Sequence, residues 1–190
     1  MPPRLIARHL VQRRLIEVYV SATPAELEEG REWYAEAAAI CERIADLTGR
    51  TALHVAHAVA ALSPRQSWGV NCRMAEAMAR RTRFHNPGTF QKFARDAWAC
   101  LQDRTERCSG PKREAFARAI LGDEDAVVID RHILRAIGEE RETLKRGAYD
   151  AYAGIIRGTA IEETSLSPRD FQAVVWVVQR NRTTRGSEGA

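Results

Sequence analysis

The chain has 190 residues, room for one domain with a full core and too few for two large ones. Ala, Leu, Arg and Glu dominate and β-branched residues come only in short runs, which argues for helices throughout; no apolar run approaches about 18 residues and no signal-peptide pattern opens the chain, so a cytoplasmic protein without a membrane span is expected. The formal net charge of +4 is unevenly spread: Ser63–Arg118 holds twelve Lys/Arg against five Asp/Glu, and the remainder 17 against 20. A basic middle is the footprint of a phosphate-backbone partner, although arginines on solvated helix faces give the same pattern.

Leu5–Val20 reads as a first helix with Arg and Gln outward. Ser21-Ala22-Thr23-Pro24 breaks it. Thr23 is placed to cap the second helix, Pro24 takes its first turn, and Glu26 closes a capping box. That helix is expected to reach about Leu47, with Gly30 as a candidate break and Trp33, Ala37, Ile40, Ile44 and Leu47 on one face. Thr51–Leu62 is apolar nearly all round and reads as a central, buried helix. His54 and His57 on it have the spacing of a metal pair, but no carboxylate or third His is near in sequence. They read as hydrogen-bonded core histidines, and no metal site is expected.

Ser63–Ser67 is a polar loop before a helix that runs from Ser67 or Trp68 to Arg81; Trp68 by itself reads as a packing residue. Arg80, Arg81 and Arg83 form a basic patch ahead of the turn His85-Asn86-Pro87-Gly88. Thr89 is expected to cap a helix whose stripe is Phe90, Phe93, Ala97, Trp98 and Leu101. Cys41, Cys72, Cys100 and Cys108 lack C-x-x-C spacing and read as free buried thiols, not as disulfides or a zinc site.

The most structured stretch is Cys108–Arg135. Ser109-Gly110-Pro111 is a turn with helix-start chemistry, because proline's missing N–H had no partner at a first helical position. Ala115, Phe116, Ala119 and Ile120 give the helix an apolar face, and Gly122-Asp123 ends it. Ala126-Val127-Val128-Ile129 is buried-type sequence. Asp130 follows at once, a carboxylate that is costly to bury without a partner or a task. Further on, Gly138–Arg146 reads as charged and exposed, Tyr149, Tyr152, Ile155 and Ile156 as one face of a helix, and Gly158–Leu166 as a loop. Ser167-Pro168 opens a last helix, Arg169–Arg180, that buries Phe171, Val174, Val175 and Val178. The expected organisation is a single domain over residues 1–181 and a disordered tail over 182–190, with no internal repeats.

Lys112 and Asp130 stand eighteen positions apart. Gly110-Pro111-Lys112 followed by Asp130-Arg131-His132-Ile133-Leu134-Arg135 resembles the helix-hairpin-helix DNA glycosylase superfamily, endonuclease III-like branch. There a hairpin ends in Gly-x-Lys, and an Asp eighteen positions on opens D-x-H-x-x-R. The family's G-x-G stands here as Cys108-Ser109-Gly110, one glycine short. Ser63, Gln66, Val70 and Asn71 follow the family's order of an L-S-x-Q loop and a helix beginning V-N, with spacings that differ by one. No cysteine follows Cys108, so the C-terminal iron–sulfur loop of many such proteins has no counterpart and no cofactor is expected.

The resemblance implies an all-α, glycosylase-like domain of about eight or nine helices, monomeric, with double-stranded DNA as partner. By it, Ser109, Gly110, Pro111 and Arg113 contact the DNA backbone, as does Arg73. Gln66, or Arg65 beside it, enters the duplex and fills the hole left by an extruded base. Asn71, Trp68, His132 and Arg135 orient the pocket or bind phosphate. A glycosylase must extrude its nucleotide, at a few kcal/mol of unstacking, and pass through an oxocarbenium-like sugar. Asp130 is the carboxylate implied to stabilise that charge or to deprotonate the attacking group. Lys112 has two roles of equal standing: the amine nucleophile of a Schiff base, or a phosphate contact at a helix N-terminus.

Three functions follow. The first is excision of a damaged or modified base, with or without strand cleavage. The second is modification of a hydroxymethyluracil-derived base on the same scaffold, as in some phage-linked enzymes. The third is DNA binding without catalysis. The expected setting is the nucleoid or a phage.

Overall fold

Ala52–Leu62 forms α3, and its composition decides its place: Val55, Ala56 and every residue from Ala58 to Leu62 are wholly buried. Small side chains let neighbouring helices approach it from several directions. The computed structural model describes residues 5–188, with side chains to 184. Among these residues the fold is all-α: α1 (Arg8–Val20), α2 (Pro24–Thr48), α3, α4 (Trp68–Ala79), α5 (Gln91–Leu101), α6 (Pro111–Ile120), α7 (Arg131–Ala136), α8 (Arg146–Glu163) and α9 (Pro168–Glu188), with one 3-10 turn at Thr105–Arg107.

The chain divides into two compact units. A central unit, Ala35–Asp123, packs α4, α5 and α6 around α3. A terminal unit joins Met1–Tyr34 to Glu124–Ala190, and there α9 packs against α1, α7 and α8. Phe171, Val174, Val175, Val177 and Val178 of α9 are buried, as are Val11, Leu15, Tyr152 and Ile156 from the helices around it.

Local signals account for most boundaries. Thr23 and Glu26 form the capping box: the Thr23 N–H donates to Glu26 Oε2 at 2.9 Å and the Glu26 N–H to Thr23 Oγ1 at 3.3 Å. Thr51 caps α3 through the His54 N–H at 3.2 Å, and Ser167 caps α9 through the Asp170 N–H at 3.1 Å. The four cysteines are free; Cys72 is half-buried and the other three are buried.

Several expectations change. Gly30 does not break α2. The buried stripe of that helix is Tyr34, Ala37, Cys41, Ile44 and Ala45, and Leu47 is exposed, so the face is turned from the one the aromatic Trp33 suggested. Thr89 caps nothing: Asn86 Oδ1 accepts the Gly88 and Thr89 N–H groups at 3.0 Å each, and the Thr89 hydroxyl is buried without a partner. Phe90 stands before α5, 59% exposed, and the buried side of the helix is Ala94, Asp96, Ala97, Cys100 and Leu101. Gly158 does not open a loop, for α8 continues to Glu163 and Thr159 back-bonds to the Ile155 carbonyl at 2.8 Å. Glu139 is not a solvated charge; it binds Arg141 at 2.5 Å and the buried Tyr152 hydroxyl at 2.7 Å. At the end, α9 runs past Arg180 to Glu188, and Thr183 and Thr184 bond back to Gln179 and Arg180. The expected tail is therefore helical over its described part; residues 189–190 lie outside the described residues.

The two histidines of α3 part company. His54 Nε2 meets Asp103 Oδ1 at 2.9 Å, a carboxylate distant in sequence. His57 is half-buried, its Nδ1 is without a partner, and burial lowers its pKa.

Candidate active site

Residues 126–129 are buried and belong to no helix, so their backbone groups need partners from elsewhere. Side chains supply them. The Tyr149 hydroxyl accepts the Ile129 N–H at 3.0 Å and donates to the Val127 carbonyl at 2.9 Å. Gln172 Oε1 accepts the Val128 N–H at 3.3 Å and the Tyr34 hydroxyl at 3.2 Å. Arg157 Nε donates to the Asp125 carbonyl at 2.7 Å. Burial raises the pKa of both Tyr34 and Tyr149, so both phenols stay neutral and remain donors. Side chains from α2, α8 and α9 thus fix the segment that delivers Asp130.

Asp130 is the N-cap of α7. Its Oδ1 accepts the N–H groups of His132 at 2.8 Å and Ile133 at 3.1 Å. Its Oδ2 accepts the indole N–H of Trp176 at 2.9 Å. A carboxylate offers about four lone-pair sites, and three are engaged. The cost of burying this charge is met by a helix N-terminus and one neutral donor. Trp176 packs edge-on against Trp33 at 5.5 Å and against the His132 ring at 5.9 Å, with the Arg180 guanidinium 4.9 Å over its own ring.

His132 is buried. Burial holds its pKa below the ordinary value, against the opposing pull of the Asp130 charge. Arg131 Nε donates to its Nε2 at 3.4 Å, which puts the proton of the neutral ring on Nδ1, where no partner stands. Arg135 is exposed on the last turn of α7.

The hairpin ahead of α6 belongs to the central unit. Gly110 sits at φ 107°, a conformation that a side chain would strain, and Pro111 starts the helix behind it. The Gly110 N–H donates to Glu114 Oε1 at 2.9 Å, so this amide is already occupied. Asp96, buried on α5, anchors the turn through Arg107 at 3.2 Å and Arg113 at 3.1 Å. Arg113 also donates to the Ser109 carbonyl at 2.7 Å, and its side chain is only 13% exposed. Arg113 thus braces the hairpin from within. Cys108 is buried, and its thiol hydrogen bond with Cys100 lowers the Cys100 pKa and raises that of Cys108. Ser109 is exposed, while Pro111 and Lys112 are half-buried.

In the loop before α4, Arg65 is exposed at φ 61° with its guanidinium 5.9 Å over the Phe90 ring. Gln66 is half-buried, its N–H turned to the Ser63 carbonyl at 3.3 Å. Trp68 meets Phe116 of α6 at 6.2 Å, a packing contact that joins this loop to the hairpin helix. Asn71 is buried; its Nδ2 ties α4 to the Val59 carbonyl of α3 at 3.0 Å, and its Oδ1 is without a partner. Arg73 is exposed.

The expected residues therefore fall into two sets: Asp130, His132 and Arg135 in the terminal unit, and the loop and hairpin residues in the central unit. Trp176 and Asp96 had escaped notice. A Trp set off the buried stripe of a valine-rich helix, and a carboxylate between the buried Ala94 and Ala97, were the available signals. Among the described residues no group of three or more His, Cys, Asp or Glu is placed to hold a metal, and no helix is long and apolar enough to cross a membrane.

A family model described as a family of unknown function (DUF7178) matches residues 4–183. Neither the curated proteins nor the solved structures give a match.

Proposed function

We propose that this chain, which belongs to the DUF7178 family, is a DNA N-glycosylase that removes a damaged or modified base from an extruded nucleotide, with Asp130 as the carboxylate at the sugar. The observation that carries this reading is the build of Asp130: a carboxylate held by a helix N-terminus and an indole N–H, behind a buried segment braced on both backbone edges. Such a group does not reorganise when positive charge develops beside it, and preorganised charge of this kind is commonly worth ~10²–10³ in rate.

In the reaction the base departs with the electron pair of its bond to C1′. The sugar becomes an oxocarbenium ion, and Asp130 offsets its charge. Water then adds to C1′ and gives up its proton, leaving an abasic site. If an amine adds in place of water and the sugar ring opens, the product is a Schiff base, and β-elimination cuts the strand. Exposed Arg65, Arg73, Arg80, Arg81 and Arg83 of the central unit support a duplex partner through its phosphates.

The test offers the protein duplexes carrying one deaminated, oxidised, alkylated or hydroxymethylated base and reads the products by mass spectrometry. Free base is expected, with the rate cut about a hundredfold or more by Asp130→Asn. Borohydride trapping on an abasic duplex, abolished by Lys112→Gln, identifies the amine route; free base without trapping identifies the water route. A base altered but still joined to its sugar, or binding with neither change, overturns the excision reading.

A further inference from the structure

We infer that Trp176 is the positioning residue of this centre, and that its indole N–H fixes the direction of Asp130 Oδ2, the oxygen left open to the substrate. The inference rests on the role proposed above for Asp130. Both lone pairs of Oδ1 are taken by the α7 amides, at 2.8 and 3.1 Å. Oδ2 accepts one bond, from Trp176, and keeps one lone pair open. The amides alone fix one oxygen; they leave the carboxylate plane free to rock about it. The indole is the second point that stops this motion.

Trp176 is itself held. Its ring is wedged between Trp33 and His132, and Arg180 lies over its face. Arg180 is tied in turn to Glu29 at 2.8 Å and to Asn181 at 2.8 Å. An indole seated in this way cannot turn its N–H from the carboxylate without breaking several contacts. Because the N–H is neutral, it orients Asp130 without cancelling its charge, which a cationic donor in its place would do. The other titratable or charged groups that act at this centre are Tyr34 on α2, Arg131, His132 and Arg135 on α7, Tyr149 on α8 and Arg180 on α9.

The experiment uses the full chain and compares wild type with Trp176→Phe and Trp176→His. NMR at neutral pH follows the α7 amide and indole N–H resonances that bond to Asp130, and single-turnover excision is measured beside it. Phe keeps a ring but removes the donor, so the His132 and Ile133 amide resonances, which report the Asp130 carboxylate, should shift or broaden. His returns an N–H and should recover part of that change. The single-turnover rate should fall about tenfold, from a looser carboxylate, with DNA affinity unchanged.

In wild type the Trp176 indole N–H resonance should lie downfield and exchange slowly, and Asp130→Asn should move it upfield and speed its exchange. This arm stands even where the Phe variant folds poorly. An indole signal unchanged in Asp130→Asn, or α7 amide signals that are the same in wild type and Trp176→Phe, overturns the inference. A wild type that releases no base sinks the glycosylase reading alone, because the NMR arm needs no substrate.

Discussion

Gly30 of α2 and Val174 of α9 come so close that a Cβ on Gly30 would stand 2.6 Å from the Val174 Cα. The obstacle is backbone, which cannot rotate away. Gly30→Ala should therefore destabilise the protein by about 1–3 kcal/mol. That loss outweighs the roughly 1 kcal/mol by which Ala is the better helix former. Urea denaturation read at the Trp signal decides it; a more stable variant would mean that the helices have room to part.

Asp130 also carries stability through its cap, and this separates from its proposed chemistry. Asn keeps the cap acceptor but sets an NH2 against the Trp176 N–H, so Asp130→Asn should cost about 1 kcal/mol, and Asp130→Ala, which loses the cap as well, about 1–2 kcal/mol more. The proposed excision rate should be lost in both. Equal thermal shifts for the two variants would remove the cap from the account.

Asp96 is buried between Arg107 and Arg113 and holds the hairpin turn. Removing one member of a buried pair leaves the other uncompensated. Arg107 is half exposed and can turn to water, whereas Arg113 cannot. Asp96→Ala is expected to cost about 2–4 kcal/mol and to raise amide exchange first at 107–114. Protection unchanged in that segment would place the anchor elsewhere.

Glu139 makes stability depend on pH. Its bond with Arg141 lowers the carboxyl pKa to about 2. The folded value lies below the unfolded value of about 4.3, so the stabilisation is complete above pH ~5 and fades as pH falls toward 2. Arg141 is partly open to water, which limits the effect to roughly 1–2 kcal/mol. Glu139→Gln should flatten the melting-temperature profile over that window and leave neutral-pH differences among other variants unchanged. A profile with the wild-type slope would assign the acid sensitivity to other carboxylates.

Short-range chemistry was legible in the chain. The Thr23–Glu26 box, the Ser167 cap, the Pro111 start and the burial of Ala126–Ile129 all appear where residue type and spacing put them. Facing was less legible. The aromatic residues Trp33 and Phe90 drew the expected stripes toward themselves, but α2 buries its smaller neighbours and Phe90 stands in solvent. A helix buries the side that meets a neighbour, and that choice is made by close approach, as at Gly30, more than by side-chain size.

By itself the sequence determined the helical class, most helix starts and the isolation of one carboxylate behind an apolar run, because each of these depends on residues within a few positions of one another. Only the tertiary structure decided what Asp130 touches. Trp176 lies 46 positions away on α9, and Tyr149 and Gln172, which brace the segment before it, come from two different helices. A hydrogen bond acts over about 3 Å of space, and nothing in local spacing records which distant side chain will be brought within it.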